Sequence, residues 1–357
     1  MLRFEARANP SRAMKLASPL IAIALTLFTA AGLFVALNKP AIEAFRTFFI
    51  EPLMDANGWS ELLIKASPLI LIAEGLAIGF RARIYNIGAE GQLIMGAIFG
   101  GGVAIACNGI DAWWVLPAMV LTGALGGALW GALPAWLKTR FNAEETLTTL
   151  MLAYVADCVL AWLVSDPWRD PAGQNFPQSV MFGDSALFPL LFDGMRVNVS
   201  IFITLAIVAA FWLFVSRSFL AYQINVGGLA PAAARYAGFP ARRTVWISLV
   251  LSGMTAGLAG LGEVAGPVGQ LNLNISPGYG YAAIIVAWIG RLNPIGIVFA
   301  GLLMALIYLG GEAAQVSLQL PAAITGMFQG MLLFFLLATD VLIDYRLRRS
   351  ARSCGGK

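Results

Sequence analysis

The 357-residue chain is 59 % hydrophobic and 12 % charged, with a mean hydropathy of +0.78 and a formal net charge of +4. A soluble domain carries roughly 25 % charged residues, so a water-soluble fold of this length would lack the polar side chains to cover its surface. Abundant Leu, Ile, Val and Phe exclude disorder, and 38 glycines without a three-residue period exclude a collagen-like fibre. The composition is that of an all-α polytopic membrane protein.

A span needs about 20 apolar residues to cover roughly 30 Å of hydrocarbon. After a basic tail over residues 1–16 (Arg3, Arg7, Arg12, Lys15), the uncharged run 17–37 is long enough to be a retained first span, and its core is too long for a secretory signal. Further spans are predicted at about 62–80, 86–107, 113–137, 146–165, 198–215, 244–264, 278–290, 294–310 and 322–340, about ten in all. The membrane domain thus covers 17–340, and a basic tail follows over 341–357. With both termini cytoplasmic, eighteen of the 23 Lys and Arg residues fall inside, and only Lys39, Arg46, Lys65, Arg169 and Arg196 fall outside. That asymmetry follows the positive-inside rule, and Trp59, Trp113, Trp114, Trp136, Trp168, Trp246 and Trp288 fall at predicted interfaces. The net charge therefore reflects topology and gives no reason to expect a nucleic-acid partner. The outer segment from about 166 to 197 is a loop rich in Pro, Gly, Asp and Asn, and no second soluble domain is visible.

Three cysteines (Cys107, Cys158, Cys354) and no histidine give no disulfide framework and remove the commonest metal ligand and general base. No GxxxxGK[ST] run cradles a nucleotide phosphate, and neither a catalytic residue, a metal nor a cofactor is expected.

Two spans read as broken. The third is led by Arg81-Ala82-Arg83-Ile84-Tyr85-Asn86-Ile87-Gly88-Ala89-Glu90-Gly91-Gln92, with polar side chains among glycines at the membrane boundary. The eighth is led by Asn272, Asn274 and Ser276-Pro277-Gly278-Tyr279-Gly280-Tyr281, leaving about a dozen apolar residues before Arg291. Ten spans divide into five plus five, an inverted repeat in which the third matches the eighth. Interrupted segments at matching positions point to a solute path, while the alternative is that glycine permits close helix packing. The predicted path residues are Asn86, Gly88, Glu90, Gly91, Gln92, Asn274, Tyr279 and Tyr281.

Glu74, Glu90, Asp157, Glu263 and Glu312 are carboxylates inside or near spans, where they are costly and face the bundle interior. They read either as a proton relay or as structural partners of Arg81 or Arg83. Adjacent Glu144 and Glu145 read as a solvated helix start.

The longest inner loop, 216–243, contains Gly228-Leu229-Ala230-Pro231-Ala232-Ala233-Ala234-Arg235-Tyr236-Ala237-Gly238-Phe239-Pro240. Pro231 suits a first helical turn, Gly238 a left-handed stop, and Pro240 prevents continuation. Such a short helix is unstable alone, and the pattern leaves open whether it docks on a partner or on lipid headgroups.

The Ala232-Ala233…Gly238 spacing resembles the coupling loop of ABC-transporter permeases, with Ala232 where that pattern usually has Glu. Together with Arg81 to Gly96 (RARIYNIGAEGQLIMG) and the Gly278–Tyr281 and Gly290–Gly296 runs, it resembles permeases of the branched-chain amino acid and sugar importer type. The similarity, from about Ser67 to Asp340, is closest to their nucleoside and simple-sugar branch. The resemblance implies a bacterial inner-membrane core of two permeases, the second usually a distinct, shorter chain, with cytoplasmic ATPase subunits and an extracytoplasmic substrate-binding lipoprotein. It places Pro231, Ala232, Ala233, Ala234, Arg235 and Gly238 in an ATPase groove and the NIGAEGQ block along the conduit. The function expected is ATP-driven import of a small polar solute, foremost a nucleoside. The alternatives are a simple-sugar permease or an ion-coupled carrier using Glu74, Glu90 or Glu263, and a lipid-modifying enzyme is disfavoured for want of a polar catalytic cluster.

Overall fold

The computed structural model describes residues 2–6, 11–173, 176–192 and 194–349; Arg7, Arg352, Cys354 and Lys357 of the basic tails lie outside the described residues. The helices among them are α1 (Arg12–Ala36), α2 (Ala41–Phe49), α3 (Ala56–Arg81), α4 (Ala89–Ala106), α5 (Val115–Phe141), α6 (Glu145–Ser165), α7 (Ser200–Arg217), α8 (Phe219–Leu229), α9 (Pro231–Tyr236), α10 (Ala241–Glu263), α11 (Tyr279–Ile289), α12 (Pro294–Leu318) and α13 (Ala323–Asp344). Nine of these are long and apolar enough to cross a membrane. The remaining predicted span, the eighth, is α11, whose 11 residues reach only about 16 Å at 1.5 Å per residue.

Two compact units partition the chain, one comprising 1–52 and 307–357 and the other 53–306. In the first, Ser18 ties α1 to α13 by hydrogen bonds to Thr339 (2.9 Å) and to the Asp340 carboxylate (2.5 Å). Phe34, Phe45, Phe48 and Phe328 fill its centre, with Phe48 and Phe328 stacked at 4.9 Å. The terminal segments, expected as plain tails, pair instead as two short antiparallel strands, β1 (Leu2–Ala6) and β2 (Tyr345–Arg349), with Phe4 opposite Leu347. The nine-residue α2 escapes a span-length window. Helix α12 runs eight residues past its predicted end, because Gly310 and Gly311 serve close packing: Cβ atoms there would strike the Phe48 carbonyl and the Thr325 side chain.

In the second unit α3 and α10 are central. Every residue of α3 from Ala66 to Phe80 is buried. Helix α10 packs on α3, α4 and α5 through glycines, since a Cβ at Gly96 or Gly127 would overlap the backbone of Gly257 or Gly253. Small residues let membrane helices approach backbone to backbone where lipid leaves no hydrophobic drive between them. The loop 166–197 folds onto the segment after α10: the amides of Ser179, Phe182 and Phe188 donate to the carbonyls of Leu271, Gly269 and Ala265 (2.8–2.9 Å). Arg196 reaches the Glu61 carboxylate (3.0 Å) and the Pro267 carbonyl (3.1 Å).

At the other end, α5 stops at Asn142 in the left-handed conformation (φ 53°). This turn brings Lys138 onto Glu145 as an ion pair. Glu145 is thereby buried at 7 % exposure, and the expectation of a solvated acidic helix start is corrected for this residue, while Glu144 is exposed.

Candidate functional site

The two interrupted lead-ins meet. Helix α3 ends with Arg83 in the left-handed region (φ 58°), and the Ile84 amide folds back to the Gly79 carbonyl (2.9 Å). The chain then runs without helix to Gly88. Asn86, 1 % exposed, donates its amide to Gln92 Oε1 (2.8 Å) and to the Ser252 hydroxyl of α10 (2.9 Å), while its carbonyl oxygen accepts from the Gly88 amide (3.1 Å). The Ile87 amide donates to Thr149 Oγ1 on α6 (3.2 Å). Gly88 and Gly91 lie so close to Thr149 and Ala153 that neither has room for a Cβ. Non-helical backbone at this depth is thus satisfied by protein groups, the condition under which it is tolerated.

The second lead-in turns through Gly269 (φ 73°) and Gly278 (φ 90°). Ser276 Oγ accepts from the amides of Gly278 (3.3 Å) and Tyr279 (3.0 Å). Glu90 completes this cap from the other broken span, its Oε2 accepting the Gly280 amide at 2.6 Å. A carboxylate at a helix N-terminus satisfies an orphan donor and faces the positive end of the dipole. Glycine is required at 280, because a Cβ would overlap Glu90 itself.

Of the predicted path residues, Asn86, Gly88, Glu90, Gly91, Gln92 and Tyr279 are buried, whereas Asn274 and Tyr281 are exposed. Asn86 and Gln92 form one cluster with Ser252; Glu90 joins Ser276 and Gly280 in a second. Ser252 and Thr149 escaped the sequence reading, because a hydroxyl in an apolar helix looks the same whether or not a distant amide needs it; Ser276 stands in the second lead-in but is not among the predicted path residues. Asp157 is exposed at mid-span on α6, and its charge acts on both Glu90 and Tyr281. A mid-span carboxylate was the available signal.

Glu74 is 1 % exposed, and neither of its carboxylate oxygens has a hydrogen-bond partner among the described residues. Arg81, named as a prospective partner, donates to the Leu292 carbonyl (Nη2, 2.5 Å; Nε, 3.2 Å). Glu263 is half-buried just before a π-helical turn, Val264–Val268.

The Pro231–Gly238 group forms a separate site. Pro231 opens α9, Gly238 (φ 74°) ends it, and the Phe239 amide returns to the Ala234 carbonyl (2.9 Å). This six-to-one bond closes the helix, as the residue pattern predicts. Ala234 is buried, and the Phe239 ring stands edge-on to Phe219 and Tyr222. Pro231, Ala232, Ala233, Arg235 and Gly238 are exposed, and Tyr236 is 98 % exposed. A helix of six residues is thus held from behind and bare in front.

The chain matches the family described as branched-chain amino acid transport system / permease component over residues 58–337. It is 32 % identical to the glucose ABC transporter permease protein TsgB13 of Haloferax volcanii, covering 92 % of this chain and 89 % of that protein. It is 27 % identical to the nucleoside ABC transporter permease protein NupB of Lactococcus lactis (95 % of each chain). With the guanosine ABC transporter permease protein NupP of Bacillus subtilis it shares 26 % identity over 89 % of this chain and 91 % of that protein. A membrane-spanning bundle with two broken segments and a match spanning most of its length place this chain in the branched-chain amino acid transport system / permease component family.

Proposed function

We propose that this chain is the permease subunit of an ABC importer that carries a nucleoside or nucleobase-bearing compound, working with cytoplasmic ATPase subunits, a second permease and an extracytoplasmic binding lipoprotein. Both termini are cytoplasmic in this reading, which the Lys/Arg asymmetry supports. The observation that carries the coupling role is α9, a short helix braced by Ala234 and Phe239 with its outer face exposed. Closure of the ATPases moves α9, and the bundle halves rock around the paired broken segments.

The solute path follows the lead-ins of α4 and α11. Asn86, Gly88, Glu90, Gly91, Gln92 and Tyr279 shape its wall, and Asn274 and Tyr281 meet the solute. Tyr281, at 37 % exposure, offers a ring face for a nucleobase, and Asp157 offers acceptors for sugar hydroxyls. A simple sugar is the second reading, favoured by the identity with the glucose permease.

Proteoliposomes containing the complete transporter, given labelled adenosine and labelled glucose in parallel, test both readings. ATP-dependent adenosine uptake, competed by guanosine and not by glucose, is the expected result. Uptake that persists without the ATPase and collapses with a protonophore overturns the ABC reading in favour of an ion-coupled carrier.

A further inference from the structure

Behind α9 lies a cavity of about 250 Å³, lined in part by Pro231, Ala234, Arg235 and Phe239, to which the transport reading assigns no ligand. A water molecule takes up about 30 Å³ of liquid, so the space admits a polyatomic group. It lies where the end of α3, the end of α5, α8, α9 and the start of α10 come together. Its walls carry three cationic side chains, Arg83, Lys138 and Arg235, with Gln223 and Thr244 as further polar groups, and no acidic residue is among the described lining.

The charges do not cancel. Lys138 is paired with Glu145, which stands outside the lining. Arg83 and Arg235 are exposed and make no ion pair or side-chain hydrogen bond among the described residues, so two positive charges face one concavity. Helix α10 opens beside them at Ala241 with no side-chain cap, adding the positive end of its dipole. Arg83 is also held with φ at 58°, a backbone conformation uncommon for arginine and more natural to glycine or asparagine.

Donors arriving from α5, α8, α9, α10 and the turn after α3 suit an anion whose oxygens point in several directions. A planar carboxylate satisfies one guanidinium fork; a phosphate has oxygens for two forks and further donors. We propose that this cavity is a binding site for a phosphate group, carried by an anionic phospholipid or by a small soluble phosphate, and that its occupant braces the back of α9 through Arg235. Basic pockets between membrane helices hold lipid headgroups in this manner.

The purified full-length chain in nanodiscs tests the proposal in two arms. Equilibrium dialysis against labelled inorganic phosphate, in phosphatidylcholine discs, measures the soluble anion. Native mass spectrometry after release from discs containing phosphatidylglycerol counts retained anionic lipid. Wild type is expected to hold the probe in at least one arm. Arg83→Asn, which keeps the backbone preference and removes the charge, weakens retention about tenfold or more, and Arg83→Lys stays within about threefold of wild type. Arg217→Gln, which removes an exposed charge outside the cavity, changes nothing. Retention of phosphate alone identifies a soluble ligand, and retention of phosphatidylglycerol alone identifies a lipid; either supports the site. Absence of retention in both arms, or equal retention by wild type and Arg83→Asn, overturns it. Because binding is read without transport, the transport reading can fail while this site stands, and the reverse.

Discussion

The Glu90 carboxylate receives the Gly280 amide at 2.6 Å across 190 residues of sequence, so the first broken span supplies the N-terminal cap of the second. The second lead-in is thus completed by the first broken span, and a movement of Glu90 is felt at the start of α11. Removing the acceptor leaves a buried N–H unsatisfied, at a cost of about 1–3 kcal/mol. Glu90→Ala is therefore expected to lower thermal stability in detergent and abolish uptake, whereas Glu90→Gln, which keeps an oxygen acceptor, retains most of the stability. Differential scanning fluorimetry beside uptake assays measures both; equal stability of Glu90→Ala and wild type would contradict the capping role.

The glycine contacts of α10 make a second expectation. A Cβ at Gly127 would collide with the Gly253 carbonyl, and a neighbouring backbone cannot yield as a flexible side chain can. Overpacking of this kind costs about 1–3 kcal/mol or more. Gly262, on the same helix as Gly253, has nothing within 4 Å of an added Cβ. Gly127→Ala should lower the yield of monodisperse protein in size-exclusion chromatography, and Gly262→Ala should not.

Hydropathy made nearly the whole fold legible, because a span must be long and apolar wherever it packs. Helix α9 was legible because Pro231 and Gly238 act within one turn of backbone. The short helices α2 and α8 were not, since nine and eleven residues give no span-length signal. Within the site, the types of Asn86, Glu90 and Gln92 announced a polar break, but their partners Ser252, Ser276 and Gly280 are fixed by tertiary approach. Glu145 misled for the same reason: its neighbour in sequence is Glu144, whereas its neighbour in space is Lys138.

That ion pair separates two adjacent glutamates in a measurable way. Loss of the Glu145 charge strands Lys138 against a half-buried surface; loss of the exposed Glu144 charge strands nothing. Hydrogen bonds to charged groups contribute about 1.5–3 kcal/mol when buried, and the 27 % exposure of the Lys138 side chain places the expected loss for Glu145→Gln toward the lower end. Glu144→Gln should leave the unfolding midpoint unchanged. Thermal unfolding of both variants at two salt concentrations is the measurement, and identical midpoints would show that the pair contributes nothing.

Tyr236 extends its ring into open space at 98 % exposure while its neighbour Ala234 is buried. A bare aromatic beside a rigidly held helix is the residue type that anchors a protein interface. Tyr236→Ala should leave the isolated permease as stable as wild type yet weaken its co-purification with the ATPase subunits at least tenfold. Unchanged co-purification and unchanged ATP-driven uptake would remove Tyr236 from the coupling surface.

Asp157 offers the sharpest test of where the solute passes. An exposed carboxylate at mid-span is expensive against lipid and affordable against water or a partner, and its charge reaches Glu90 and Tyr281. If this face of α6 borders the path, Asp157→Leu should assemble with its partners and bind ATP normally but lose most uptake, and Asp157→Asn should retain part of it through its remaining acceptor oxygen. If the face meets only lipid, leucine is the better residue there, and Asp157→Leu should transport as well as wild type with a higher unfolding midpoint. Lost uptake in Asp157→Leu marks the first arrangement, and unchanged uptake with a raised midpoint marks the second, so one preparation decides between them.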